Sequence, residues 1–185
     1  MLLLLVFRYN TERINYAYAK YHGRFGKTIG NFGTIVKSTD NGSSFDNFTS
    51  PTADRINGVT FGNNTFVVVG NSGQLMRSTD NGTSFDNVTS PTTKSLNEVT
   101  FGNNTFVAVG LSGNIVRSKN NGTSWDNATS PTGGYLIGIG FGNNTFVAVG
   151  NDGQLMRSTD NGTTFDNVTY YNSATGQFMD VAFSE

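Results

Sequence analysis

The sequence has no cysteine, one histidine (His22) and only three prolines among 185 residues. Without cysteine, neither a disulfide framework nor a thiolate metal site can form. A single histidine excludes a multi-histidine metal centre within one chain, and imidazole base chemistry would rest on His22 alone. Charge is sparse: 12 Lys+Arg stand against 13 Asp+Glu, a formal net charge of -1. That balance gives no footing for general nucleic-acid binding. The basic charge is uneven, with Arg8, Arg13, Lys20, Arg24, Lys27 and Lys37 early in the chain and only Glu12 and Asp40 opposing them there. Such a flank reads as a solvated edge that discourages sheet-to-sheet pairing. Long hydrophobic runs are also missing. Leu2 to Phe7 is apolar, but a spanning helix needs about 20 such residues. No signal-peptide pattern of basic start, longer apolar stretch and small-residue cleavage site is present. The run reads as a buried strand or the remnant of a truncated upstream repeat. Helix periodicity is lacking too, since no apolar stripe of period 3.6 persists over three turns.

What the chain does have is repetition. FGNNTFV begins at Phe61, Phe101 and Phe141, a period of 40; STDNG begins at Ser38, Ser78 and Ser158, with SKNNG at Ser118. Each copy resolves into four short β-rich runs separated by turn residues. In the third copy the expected strands are Leu96 to Phe101, Phe106 to Val109, Ile115 to Ser118 and about Ser124 to Ala128. Asn103-Asn104, Gly110 to Gly113 and Asn120-Asn121-Gly122 turn the chain between them. Four antiparallel strands in ~40 residues, repeated, make the pattern of a β-propeller blade. A β-sandwich would not need a fixed period, and common β-solenoid coils are shorter. The expectation is one all-β propeller domain over 1–185, a closed ring of four or five blades. Its parts are a degenerate N-terminal repeat at about 1–49, repeats at about 54–89, 94–129 and 134–169, and a closing strand at about 177–183. The most economical closure has Gln177 to Phe183 complete the first blade from the far end of the chain. Alternatively, Asn15 to Tyr21 fills that role and the tail serves a neighbour.

The Ser-x-Asp-x-Gly-x-x-Phe/Trp motif recurs as Ser38, Asp40, Gly42, Phe45; Ser78, Asp80, Gly82, Phe85; Ser118, Asn120, Gly122, Trp125; and Ser158, Asp160, Gly162, Phe165. Its logic is local. The carboxylate or amide caps backbone N–H groups, glycine permits positive φ, and the aromatic fills the core. Asn120 still supplies an acceptor oxygen, so its turn should survive. From about Lys27 to Thr169 the chain resembles the Asp-box, or BNR, repeat propellers, most of all bacterial and phage ones with FVAVG runs. Asp boxes also occur in sialidases, polysaccharide hydrolases, sortilin-type receptors and photosystem assembly factors. The resemblance therefore implies a fold, and function must be argued from sites.

Catalysis is not expected. A sialidase-like site needs three converging arginines, a Tyr/Glu pair and an acid. Lys37, Arg77, Arg117 and Arg157 occupy one equivalent position per blade, around a ring rather than at its axis. Glu98 is the acid expected toward the channel. Calcium fails as well: counting Asp80 as the first loop position, the closing EF-hand glutamate would fall on Pro91. No metal and no cofactor is expected. The sequons at Asn41, Asn47, Asn63, Asn81, Asn87, Asn103, Asn121, Asn127, Asn143, Asn161 and Asn167 are read as turn and edge residues copied by duplication.

The copies differ at one end of the blades: in the linkers Thr52 to Arg55, Thr92 to Ser95, Thr132 to Tyr135 and Tyr170 to Ser173, and in the turns after the second strands. A site, if present, is expected there, with Arg55, Asn57, Lys94, Asn97, Tyr135, Tyr170 and Tyr171 as contacts. Tyrosine with asparagine and lysine suits sugars. The expected function is non-catalytic recognition of a glycan or cell-surface ligand, on a microbial or phage surface. A protein-binding scaffold is the alternative and a degenerate glycoside hydrolase the third reading. No nucleic acid and no membrane span is expected, and the chain is read as a monomer or small homo-oligomer, extracellular or on a virion surface.

Overall fold

Every tight turn is written in residues that tolerate left-handed backbone. Asn103 and Asn104 take φ of 47° and 57°, Ser112 and Gly113 take 57° and 66°, and Asn121 and Gly122 take 56° and 74°. Paired positive φ values give hairpin turns whose twist matches the flanking strands. The structure, a computed structural model, describes residues 17–18, 26–29, 33, 35–38, 44–48, 50–169 and 176–183. Leu2 to Phe7, His22, Asp40, Gly42, Tyr170 and Tyr171 lie outside the described residues.

Four antiparallel sheets follow one another, each with its four strands in chain order. The first holds β1 (Ala17–Tyr18), β2 (Gly26–Ile29), β3 (Ile35–Ser38) and β4 (Asp46–Phe48). The second holds β5 (Ile56–Gly62), β6 (Thr65–Gly70), β7 (Leu75–Ser78) and β8 (Asp86–Asn87). The third holds β9 (Leu96–Gly102), β10 (Thr105–Gly110), β11 (Ile115–Ser118) and β12 (Asp126–Asn127). The fourth holds β13 (Leu136–Gly142), β14 (Thr145–Gly150), β15 (Leu155–Ser158) and β16 (Asp166–Asn167). The expected strand from Ser124 to Ala128 is shorter than its sequence suggests. The Ser124 N–H donates to Asn120 Oδ1 at 3.0 Å, which keeps it in the turn rather than the ladder. Ala128 N–H still bonds the Ile115 carbonyl at 2.9 Å.

The Ser-Asp-Gly turns fold as their chemistry requires. Ser78 Oγ donates to Asp80 Oδ1 at 2.7 Å and accepts the Gly82 N–H at 2.8 Å. Asp80 Oδ1 also accepts the N–H groups of Thr83 and Ser84. Asn120 substitutes as expected, accepting from Ser118 Oγ at 2.9 Å. The aromatic then turns inward. Phe85, Trp125 and Phe165 are buried, whereas Phe45 is 38% exposed.

The core lies in the seams between sheets. Val67, Val69 and Leu75 of the second sheet pack with Leu96, Phe106 and Trp125 of the third. Val107, Val109 and Ile115 of the third pack with Leu136, Phe146 and Phe165 of the fourth. Inner strands β5, β9 and β13 lie side by side. Gly62 ends β5 because the Phe101 ring rests on it; a Cβ there would stand 2.0 Å from Phe101 Cγ. Gly102 receives Phe141 in the same way. The tail continues the series, since a Cβ at Gly142 would meet the Phe183 ring at 2.2 Å. Phe178 N–H bonds the Gly150 carbonyl at 3.0 Å. Gln177 to Phe183 thus lies along β13, at the place of a following blade's inner strand. Among the described residues it is β1 that pairs with β2. The tail therefore lies on β13 while β1 holds the inner edge of the first sheet. The tail's apolar residues have their matching glycines, Gly138, Gly140 and Gly142, on β13.

Candidate ligand-binding face

The variable turns and linkers share one end of the blades, because each turn is bonded to linkers. Asn71, Leu111 and Asn151 N–H groups donate to the carbonyls of Arg55, Ser95 and Tyr135. Gly113 N–H donates to Gly134 of the next linker at 2.6 Å. At this end Lys94 is exposed and Tyr135 is 51% exposed. Arg55 is half-buried, and its Nε is enclosed without a hydrogen-bond partner. Asn57 and Asn97 serve the seams. Asn57 Nδ2 donates to the Leu96 carbonyl at 2.8 Å and to Asn71 Oδ1, and Asn97 Nδ2 donates to the Leu136 carbonyl at 2.6 Å. Their amide donors are therefore committed to holding neighbouring blades together.

Two repeat-equivalent hollows open beside these linkers. One, of about 290 Å³, is lined by Pro131, Thr132, Gly153, Gln154, Leu155, Asn167 and Val168. The other, of similar volume, includes Pro91, Gly113, Asn114, Ile115, Asn127 and Ala128 at the matching positions. Both are shallow and polar. Beside the second, Thr92 Oγ1 donates to Asn114 Oδ1 at 2.7 Å, so linker and turn brace one another at its edge. Sequence reasoning missed these residues because it looked for positions that differ between copies. Pro91/Pro131 and Asn127/Asn167 are the same in both copies, and that identity is the signal that points to them.

The arginine ring also resolves. Arg117 extends to the next blade, where its guanidinium donates to Thr163 Oγ1 and the Asn161 carbonyl. It is a seam contact, and Arg77 occupies the same register opposite Val67. The acidic groups divide by environment. Hydrogen bonds, chiefly from the Ser84 hydroxyl and N–H and from Ser78, hold the Asp80 carboxyl well below the usual range. At Asp160 partial burial pushes upward, but bonds from Thr164, Ser158 and Thr163 outweigh it and leave the pKa at about 2. Glu98 goes the other way. Burial, with a smaller contribution from the Asp180 charge, raises it to about 8 despite a bond from its neighbour Val99 N–H. Its carboxyl packs into the seam over Gly58. Folded Glu98 therefore binds a proton that unfolded Glu98, near 4.5, releases. Stability from this group is fully present below pH 4.5 and is lost as pH rises through 8. Glu98→Gln should flatten that decline and leave the variant more stable than wild type at pH 8. Urea midpoints across the window measure it, and an equal slope in both proteins would refute the assignment. Among the described residues no cluster of three metal-ligating side chains occurs, and no helix is long and apolar enough to cross a membrane.

The model of the DUF6242 β-propeller domain matches residues 44–178. The chain belongs to the DUF6242 β-propeller family. No curated protein matches its sequence. Among solved structures the DUF6242 propeller is similar to YCF48 from Cyanidioschyzon merolae, at 17% identity and TM-score 0.70 over 95% of this chain and 62% of that one. It is similar to YCF48 bound to D1 peptide, at 21% identity and TM-score 0.65 over 81% of this chain and 53% of that one. It also matches the GH74 enzyme of Niastella koreensis, at 21% identity and TM-score 0.63 over 83% of this chain and 24% of that one. The chain thus spans between half and two thirds of the length of the YCF48 structures. At these identities the likeness shows a shared propeller fold.

Proposed function

We propose that this propeller is a non-catalytic recognition module for a glycan or other cell-surface ligand, and that its Ser-Asp-Gly turns are Asp boxes serving structure. The observation that carries the reading is the pair of equivalent shallow polar hollows. Equivalent sites repeated at blade spacing suit a ligand that is itself repetitive, and multivalent capture raises avidity without a deep pocket. The linings offer amides for hydroxyl hydrogen bonds, and exposed Tyr135 is available on the same end for stacking against a sugar ring. Arg117 serves a seam, and its equivalents stand one per blade rather than converging, which supports a role without chemistry. A second reading has its own support. One similar structure is a propeller bound to a peptide, and a protein-binding scaffold would use the same end of the blades.

A glycan array and a peptide array probed with the folded chain separate the two. The glycan reading expects saccharide signal that falls at least about tenfold, roughly 1.4 kcal/mol, in Gln154→Ala/Asn167→Ala and in Tyr135→Ala. Peptide signal with no saccharide signal would transfer the function to the scaffold reading.

A further inference from the structure

The two ends of the blade series are uncovered in complementary ways. Within the series, each sheet's outward face is covered by the next sheet's Ser-Asp-Gly turn. A Cβ at Gly122 would meet Val67 Cγ2 at 3.1 Å, and one at Gly162 would meet Val107 Cγ2 at 2.7 Å. Asn63 Nδ2 donates to Asn121 Oδ1 at 2.6 Å, and Asn103 repeats this with Asn161. Arg117 reaches Thr163 across the same seam. Val67 and Val107, under those turns, are 1% and 0% exposed. On the fourth sheet the same positions are Asn143, Val147, Leu155 and Arg157. There Val147 and Leu155 are only half-buried, and Arg157 is exposed where Arg77 and Arg117 are half-buried. At the other end Phe45 is 38% exposed, whereas Phe85, Trp125 and Phe165 are exposed by 7% or less. The chain therefore shows the donor half of a blade seam at one end and the acceptor half at the other.

We infer that a second copy of this chain covers this face, so that two arcs join head to tail into one ring with two identical new seams. The first sheet of each copy packs on Val147, Leu155 and Arg157 of the other, and Phe45 takes the place that Trp125 and Phe165 hold in the internal seams. The occupant is argued from continuity. The surface that buries such a face three sheets along is the turn-bearing sheet of this same sequence, and the chain carries one whose aromatic is uncovered. Among the described residues both half-seams are open together, so the described arc does not meet itself. It covers 62% of a propeller onto which it superposes at TM-score 0.70, which leaves room for further blades. On assembly the tail on β13 takes the inner edge of the partner's first sheet, displacing there the two-residue β1 that pairs with β2 in the single chain. Two half-seams that each close on the other give a closed cyclic pair rather than a filament when the curvature completes the turn.

Absence of cysteine makes the test direct. Light scattering on the full chain should give the mass of two chains. Phe45→Cys and Val147→Cys single variants, mixed during refolding and oxidised, should yield a covalent pair of chains, and neither alone should do so through this seam. Val147→Asp should halve the mass while the circular dichroism spectrum stays that of a β protein. A one-chain mass for the wild type, or a Phe45→Cys/Val147→Cys double variant that crosslinks only within one chain, would overturn the inference in favour of self-closure.

Discussion

Phe106→Ala should cost about 3–5 kcal/mol of folding stability, among the largest losses available to a single side chain. Phe106 is fully buried on β10. Its ring lies 4.6 Å from Phe101 and 6.5 Å from Trp125, and its cluster includes Val67, Val69 and Leu75 of the preceding blade. Truncation would remove a large, fully buried filler of a seam, and the flanking strands are held by ladders that limit collapse into the void. The effect should also be cooperative across blades, because a propeller blade buries its faces only against its neighbours. Urea denaturation followed by tryptophan fluorescence is the suitable measurement, since Trp125 is the chain's sole tryptophan and sits in the affected seam. Tyr135→Ala, at an exposed position, should stay within about 0.5 kcal/mol of wild type. A Phe106→Ala loss as small as that would mean the seam is not where the stability resides.

The contrast between these positions shows what the sequence made legible. Turn chemistry was legible residue by residue, because Asn-Asn, Asn-Gly and Ser-Asp-Gly carry their backbone requirements locally. Ser118, Asn120 and Trp125 behave as that chemistry demands. Strand order followed from repetition. The roles of Asn57, Asn97 and Arg117 were not legible, since an amide that clips a neighbouring carbonyl reads the same as one that awaits a ligand. Their partners lie about one repeat away, and only packing brings them together. The tail was half-legible. Phe183 announced an inner strand by its likeness to Phe141, but which strand it would lie against depended on where matching glycines stood, and those are on β13. The hollows were hidden for a different reason. A search that weights differences between copies passes over Asn127 and Asn167, which are the same in both.

Gly102→Ala should destabilise by about 3 kcal/mol, the upper end of overpacking costs, although one methyl group is all that is added. Its Cβ would stand 2.0 Å from Phe141 Cγ and 2.2 Å from Cδ1, far inside contact distance. The ring's retreat is limited by Phe146, whose tilted ring lies at a centroid distance of 4.6 Å. Either β9 or the fourth blade has to shift, and both are held by their own ladders. The decisive comparison is a double-mutant cycle. In a Phe141→Ala background the obstacle is gone, and Gly102→Ala should cost little, because alanine restricts the unfolded chain more than glycine does. A coupling energy of about 1–3 kcal/mol between the two positions is expected. Strict additivity would mean that the glycine serves its own strand and not the neighbour's ring. The same cycle at Gly142 and Phe183 extends the argument to the tail. Their geometry repeats that of Gly102 and Phe141, so comparable coupling there would show that the tail is held on β13 in solution as firmly as one blade is held on the next.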